Sequence, residues 1–142
     1  MPTPSSRNSG LTERSEEYAA YWNSQPEVDV ILCPVGPGVA PLHDTARYWG
    51  YTAVWNILDW PACSIPTGMK VSGDEHRMDT KYIPEANEFE PYNWEKYSPE
   101  SYKDAPIGLQ VVGRKWDDEL VLKAVTKIEE IIARDAAVRP HL

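Results

Sequence analysis

Cysteine, histidine and phenylalanine are scarce in this chain, with two, three and one of them in 142 residues. Two cysteines cannot make a disulfide-stapled scaffold, and together with the scattered histidines they match no zinc-ligand spacing. No metal or cofactor is expected. Cys33 and Cys63 each lie in an apolar, strand-like run and read as buried free thiols acting as small hydrophobes. A bridge between them would need the two strands to be neighbours. Long apolar runs are missing as well: nothing approaches the ~20 uninterrupted apolar residues of a membrane span. The opening Met1-Pro-Thr-Pro-Ser-Ser-Arg-Asn-Ser-Gly10 has no apolar stretch after Arg7, so it reads as a short disordered lead rather than a secretory signal. Positive charge is in deficit too, with 14 basic against 22 acidic residues and a net charge of −8. Without a cluster of Lys and Arg, nucleic acid and anionic membrane surfaces are excluded as partners. What is left is a soluble chain with a cytoplasmic location as the default, long enough for one domain with its own core.

Aromatic residues are abundant by contrast, with six tryptophans and eight tyrosines. Such rings supply large buried area and also line apolar ligand clefts. Core packing accounts for most of them.

Hydrophobic periodicity divides the chain into alternating elements. Thr12 to Ser24 reads as a helix capped by Thr12, with Leu11, Ser15, Tyr18, Ala19 and Trp22 on one side. Val28 to Val35 is an apolar strand of the kind buried on both faces. The loop Gly36-Pro-Gly-Val-Ala-Pro41 is no phosphate cradle, because Pro37 removes a donor and no third glycine opens a helix. Asp44 is expected to cap a second helix reaching Leu58, which explains His43-Asp44 without a metal or an acid–base pair. Gly50 within it would let another backbone approach. Asp59, at its end, is expected to hold loop amides. Ala62 to Pro66 is a second strand, broken by Thr67-Gly68. Ser72 to Lys103 is polar and tyrosine-rich, a length that implies a functional lid or partial disorder, with one or two helical turns at Pro91 to Tyr97. Ile107 to Val112 is a third strand and Gly113 permits a turn. A last helix opens on Asp117-Asp-Glu119, placed well for its dipole, and carries a stripe of Leu120, Ala124, Ile128 and Ile131, widened by Val121, Val125 and Ile132. Strands alternating with helices give an α/β fold: a partial parallel or mixed sheet of about three strands covered by helices.

Three segments, in order, carry a resemblance. They are Asp29-Val-Ile-Leu-Cys-Pro34 with its Gly-Pro-Gly, then Tyr51-Thr-Ala-Val-Trp-Asn-Ile-Leu-Asp-Trp-Pro-Ala62 leading to Ser64-Ile-Pro66, and Asp104-Ala-Pro-Ile-Gly-Leu-Gln-Val-Val-Gly113 with the helix after it. Each alone is mainly strand and turn chemistry. Together they resemble the C-terminal part of the amidase signature family, in its acetamidase and fatty-acid amide hydrolase branch. The resemblance covers residues 12–134, leaving residues 1–11 as the lead and 135–142 as a tail. It implies the C-terminal part of a mixed sheet wrapped by helices, in a hydrolase of linear amides and esters. Family members use a serine activated by a second serine and a lysine, because neutral serine needs an adjacent base and the oxyanion needs fixed donors.

None of the eight glycines lies in a Gly-Ser-Ser-Gly type stretch, and the adjacent serines Ser5 and Ser6 lie in the lead. No catalytic residue is carried over. The resemblance implies that part of the substrate cleft wall transfers, with Tyr51, Trp55 and Trp94 as substrate-binding candidates for a small amide or acyl group. For Tyr51 and Trp55 plain core packing competes with that role. Two readings stay open: the C-terminal fragment of an amide hydrolase, without the Ser-Ser-Lys triad and not catalytic alone, or a non-catalytic binding module that keeps part of the cleft. Strands cut from a larger sheet leave edges and apolar faces uncovered, so the expected partner is an N-terminal amidase half or a second copy.

Overall fold

A computed structural model describes residues 4–25, 27–85 and 87–138, with side chains from Glu13 to Ala137 in those ranges. The elements are α1 (Pro4–Asn23), β1 (Ile31–Pro34), α2 (Gly50–Leu58), β2 (Ala62–Lys70), α3 (Phe89–Lys96), β3 (Pro106–Val112) and α4 (Asp118–Val138). No helix among the described residues is long and apolar enough to cross a membrane.

The α/β class and the three strands are as the sequence indicates, and the strand order is β1-β3-β2. Both ladders are antiparallel, pairing Ile31 with Val112 on one side of β3 and Ala62 with Val112 on the other. β1 and β2 therefore run in the same direction, as a strand–helix–strand unit requires. β3 then enters between them in the opposite sense after the long segment 71–105. That insertion turns an expected parallel pair into two antiparallel ladders. In β2 the register slips between Pro66 and Lys70. Gly68 sits there at a φ of 79°, so the strand continues past the point where the sequence suggested a break.

Side chains alternate across a strand, which gives the sheet two distinct faces. On one, Val112, Ile31 and Cys33 meet Trp22 of α1, Leu58, Val54 and Trp55 of α2, and Trp60. On the other, Val111, Leu109, Ile65 and Cys63 meet Val121, Ala124, Val125 and Ile128 of α4. Val111 and Val112 are both 0 % exposed, so β3 is buried on both faces. At about 1.5–3 kcal/mol per fully buried aliphatic side chain, this strand anchors both layers. The outer strands are not so enclosed: Leu32 of β1 is 50 % exposed, and Ala62, Ser64 and Pro66 of β2 are exposed. Burial on both faces, expected for Val28 to Val35, is a property of the central strand alone. Cys33 and Cys63 are free, half-buried thiols separated by β3.

Gly113 lets α4 close onto the sheet. A Cβ there would collide with the Val121 side chain. The buried stripe of α4 is centred on Val121 and Val125, and Ile131 is left 48 % exposed.

Four local expectations are corrected. The helix α1 begins at Pro4, so the disordered lead does not apply to residues 4–11, while Met1 to Thr3 lie outside the described residues. Proline suits that first position because its fixed φ is already helical and it lacks an N–H that would go unpaired. Likewise α4 runs to Val138, through the start of the expected tail, and residues 139–142 lie outside the described ones. The helix α2 starts at Gly50, not after Asp44, and its cap position Trp49 makes no side-chain cap bond. Asp44 has a φ of 63°, a left-handed conformation unlike the extended backbone of a capping residue. The ring of Tyr48, rather than another backbone, occupies the space over Gly50.

The described residues of the polar segment 72–103 are held by specific hydrogen bonds. His76 Nδ1 accepts the Ser72 N–H at 3.0 Å, and the His76 carbonyl accepts the Tyr97 hydroxyl at 2.8 Å. Tyr102 is buried, and the Val71 N–H donates to the Ala105 carbonyl at 3.0 Å, closing the base of the loop. A cavity of ≈ 410 Å³ lined by Val71, Ser72, Asp74, Pro99, Glu100 and Lys103 remains at that base.

Candidate functional site

Tyr51 stands in the first turn of α2, and Gln110 of β3 determines where that turn sits. Gln110 is 2 % exposed, and its Nε2 donates to the Tyr51 carbonyl at 2.8 Å and to the Pro34 carbonyl at 2.7 Å. A buried amide must find such partners, so this residue ties the end of β1 to the start of α2 across the central strand. Sequence reasoning passed over Gln110. The signal was present, since a single amide side chain interrupts the apolar run Ile107 to Val112.

From Tyr51 an aromatic seam runs toward α3. Tyr48 meets Tyr51 edge-on at 5.9 Å between ring centroids, and meets Phe89 at 5.6 Å. Arg47 lies over the Tyr92 ring at 5.3 Å, and Lys96 approaches the same ring at 5.6 Å. Trp94, on α3, packs against Tyr82 at 4.9 Å. The Tyr82 hydroxyl donates to the Glu90 carboxylate, which raises the tyrosine pKa. Tyr51 lies beside the contact between Tyr48 and Phe89, whereas Trp94 packs on Tyr82.

Trp55 does not join them. It stacks on Trp60 at 6.1 Å with only 14° between the planes, inside the cluster that contains Trp22. Its indole Nε1 is buried and finds no acceptor among the described residues. Around it lies a second cavity of ≈ 260 Å³, lined by Trp55, Asn56, Asp59, Trp60, Pro61, Trp116 and Asp118. Asp59 takes a left-handed φ of 58° at the end of α2, and its carboxylate pairs with Lys115 at 2.8 Å. Its side chain therefore holds a cation, where loop amides were expected.

The chemistry available to these groups is limited. Cys33 has its thiol pKa raised by burial, partly opposed by a hydrogen bond from Gln110, so it stays protonated near neutrality. Burial also raises Tyr97, with the Glu100 charge adding to it. The Ser98 hydroxyl meets Ser101 Oγ at 2.9 Å and accepts the Ser101 N–H at 3.0 Å. That is a local serine turn. Among the described residues no group of three or more His, Cys, Asp or Glu side chains could hold a metal ion.

Comparison with known proteins identifies the larger body to which such a wall belongs. A model of the amidase family matches residues 7–122. A Schizosaccharomyces pombe protein with an amidase designation is 48 % identical over 128 residues, 86 % of this chain and 23 % of the relative. The acetamidase of Emericella nidulans is 28 % identical over 121 residues, 82 % of this chain and 22 % of that enzyme. Among solved structures, a fatty acid amide hydrolase superposes with a TM-score of 0.82 at 32 % identity, covering 93 % of this chain and 24 % of that one. The chain therefore spans less than a quarter of the length of these relatives. With the family matched over most of its residues and its fold superposing on one quarter of a solved amide hydrolase, this chain belongs to the amidase family.

Proposed function

We propose that residues 12–134 form the C-terminal sheet-and-helix segment of an amide- and ester-hydrolysing enzyme. In this reading the chain contributes cleft wall and scaffold, and the serine nucleophile and its base come from the rest of the amidase body. The observation that carries the reading is the fit of nearly the whole chain to a quarter of a fatty acid amide hydrolase. Tyr51, at the start of α2, and Trp94, on α3, are the residues that touch the acyl part of a small amide. Trp55 contributes from the core side, by holding Trp60 and the end of α2.

The test is covalent labelling. The chain alone, treated with a fluorophosphonate, should take up no stoichiometric label and hydrolyse no simple amide or ester. Labelling of one serine per chain would overturn the reading.

A second reading is favoured by the completeness of the Tyr48–Tyr51–Phe89 seam within this chain. It is a non-catalytic module that binds an acyl amide by itself. Saturable binding of a long-chain amide to the isolated chain, abolished by Trp94→Ala, would select this reading over the first.

A further inference from the structure

We propose that the pocket between the end of α2 and the start of α4, centred on Trp116, is where the remainder of the amidase body docks onto this chain. The inference rests on the amidase reading above and adds the surface through which the two parts meet.

Three independent features converge there. Trp116 is 82 % exposed, the highest exposure of any large apolar side chain described. Its backbone has a φ of 73°, a conformation unfavourable for any bulky residue. Beside it, the Lys115 ammonium lies 5.2 Å from the ring centroid. A strained backbone that presents a large ring to water gains nothing unless something else covers the ring. The neighbouring wall holds the second feature: the Trp55 indole N–H, buried from water and without an acceptor among the described residues. A segment that fills the ≈ 260 Å³ pocket and brings a carbonyl to that N–H would resolve both. The third feature is the frame of charge, with the Asp59–Lys115 pair and Asp118 around an indole centre. An aromatic centre inside a polar rim is how the energetically dominant part of an interface is built.

The occupant follows from length. The fold superposes on 24 % of a fatty acid amide hydrolase chain, so a body about three times larger has to rest against some part of this surface. Further strands of a mixed sheet would join its edges, and the sheet faces are already layered with α1, α2 and α4, which leaves this pocket as the place for contact beyond the sheet.

The experiment uses a full-length chimera in which this chain replaces the 128 aligned residues of the Schizosaccharomyces pombe relative. Trp116→Cys should react with a maleimide quickly in the isolated chain, and about tenfold or more slowly in the chimera, as a group protected by a stable interface would. The rates are taken after subtracting the signal of the two native thiols. Trp116→Gly relieves the positive φ, so the isolated chain should melt at the same or a higher temperature while the chimera melts lower. Equal labelling rates in the two settings, or a chimera indifferent to Trp116→Gly, would overturn the docking surface while leaving the amidase reading intact. A wild-type chimera that does not fold would remove the amidase reading, and this surface with it.

Discussion

The two faces of the sheet are built from different chemistry and are finished to different degrees. The α4 face is aliphatic: Ile65, Val111, Val121 and Val125 are all buried and carry no polar side-chain atom that needs a partner. The α1–α2 face is aromatic, with Trp22 tilted against Trp60 at 5.0 Å and Trp55 stacked on Trp60 from another side. Trp22 finds an acceptor for its indole N–H in the Val28 carbonyl at 2.9 Å, but Trp55 finds none among the described residues. An aliphatic layer is complete once its volume is filled. An aromatic layer with polar handles is complete only when each handle is paired. The difference teaches that one face is closed by this chain and the other is left with an open requirement.

The sharpest way to break that comparison is to truncate one anchor on each face. Ile65→Ala, on the closed face, should cost about 3–5 kcal/mol, toward the upper end for a site that cannot collapse. Leu58→Ala, on the aromatic face, should cost less, about 2–3 kcal/mol, because the less finished layer can shift to fill part of the space. Urea unfolding of the two variants gives the order directly. A larger loss for Leu58→Ala would mean that the aromatic face is the better packed one.

The same contrast explains what the sequence reveals. Leu120, Val121, Ala124, Val125 and Ile128 recur at helical spacing behind a glycine, so β3, its turn and α4 are readable from local pattern alone. The first helix, the second strand and the short helix near Trp94 are legible for the same reason. Strand pairing is not local. Nothing in Ile107 to Val112 announces that it enters between β1 and β2, because the contacts that decide it lie up to some 80 residues away along the chain, as between Ile31 and Val112. Asp44 misleads because a side chain suited to capping also tolerates the left-handed conformation it adopts here. Of the candidate site, Tyr51 and Trp94 are what the family resemblance implies, whereas the buried amide of Gln110 and the positive φ of Trp116 are features that pattern reading does not weigh.

Gln110 offers the next test, since it is the polar residue on which the aromatic face depends. Gln110→Leu keeps the volume and removes two hydrogen bonds, at roughly 0.5–1.5 kcal/mol each. The expected loss is about 1–3 kcal/mol, with the Tyr51 end of α2 loosened first, seen as faster amide exchange from Ala53 to Trp55 than from Val121 to Val125. Uniform acceleration over both helices would show that the two faces are not separable.

Alkaline pH sharpens the comparison with a smaller effect. Burial raises the Cys33 thiol from its ordinary value of 9.0. A folded-state pKa above the unfolded one means that the native state prefers the protonated thiol. The contribution is therefore fully present below the unfolded pKa and is lost as pH rises through the folded one. Stability should hold from pH 7 to 8.5 and decline above 9. Cys33→Ala should remove the earliest part of that decline, before Tyr82 and Tyr97, whose pKa values are raised from 10.0, begin to titrate. A pH profile identical to that of the wild type would mean that Cys33 is as well solvated folded as unfolded.

The smallest effect belongs to the ion pair at the rim of the aromatic face. Lys115 reaches Asp59 at 2.8 Å, but both side chains are largely exposed, at 44 % and 76 %. Such pairs contribute about 0.2–1 kcal/mol, because water and salt screen the attraction and two side chains must be held in place. Asp59→Asn is the informative substitution. Asparagine tolerates the left-handed backbone at the end of α2 as well as aspartate does, so the helix stop survives and only the charge is lost. The stability difference between wild type and Asp59→Asn should be measurable at low ionic strength and vanish near 1 M salt. A difference that persists at high salt would mean that Asp59 acts through hydrogen bonds to its own loop, and that this rim is organised by the end of α2 and not by the reach of Lys115 from the turn before α4.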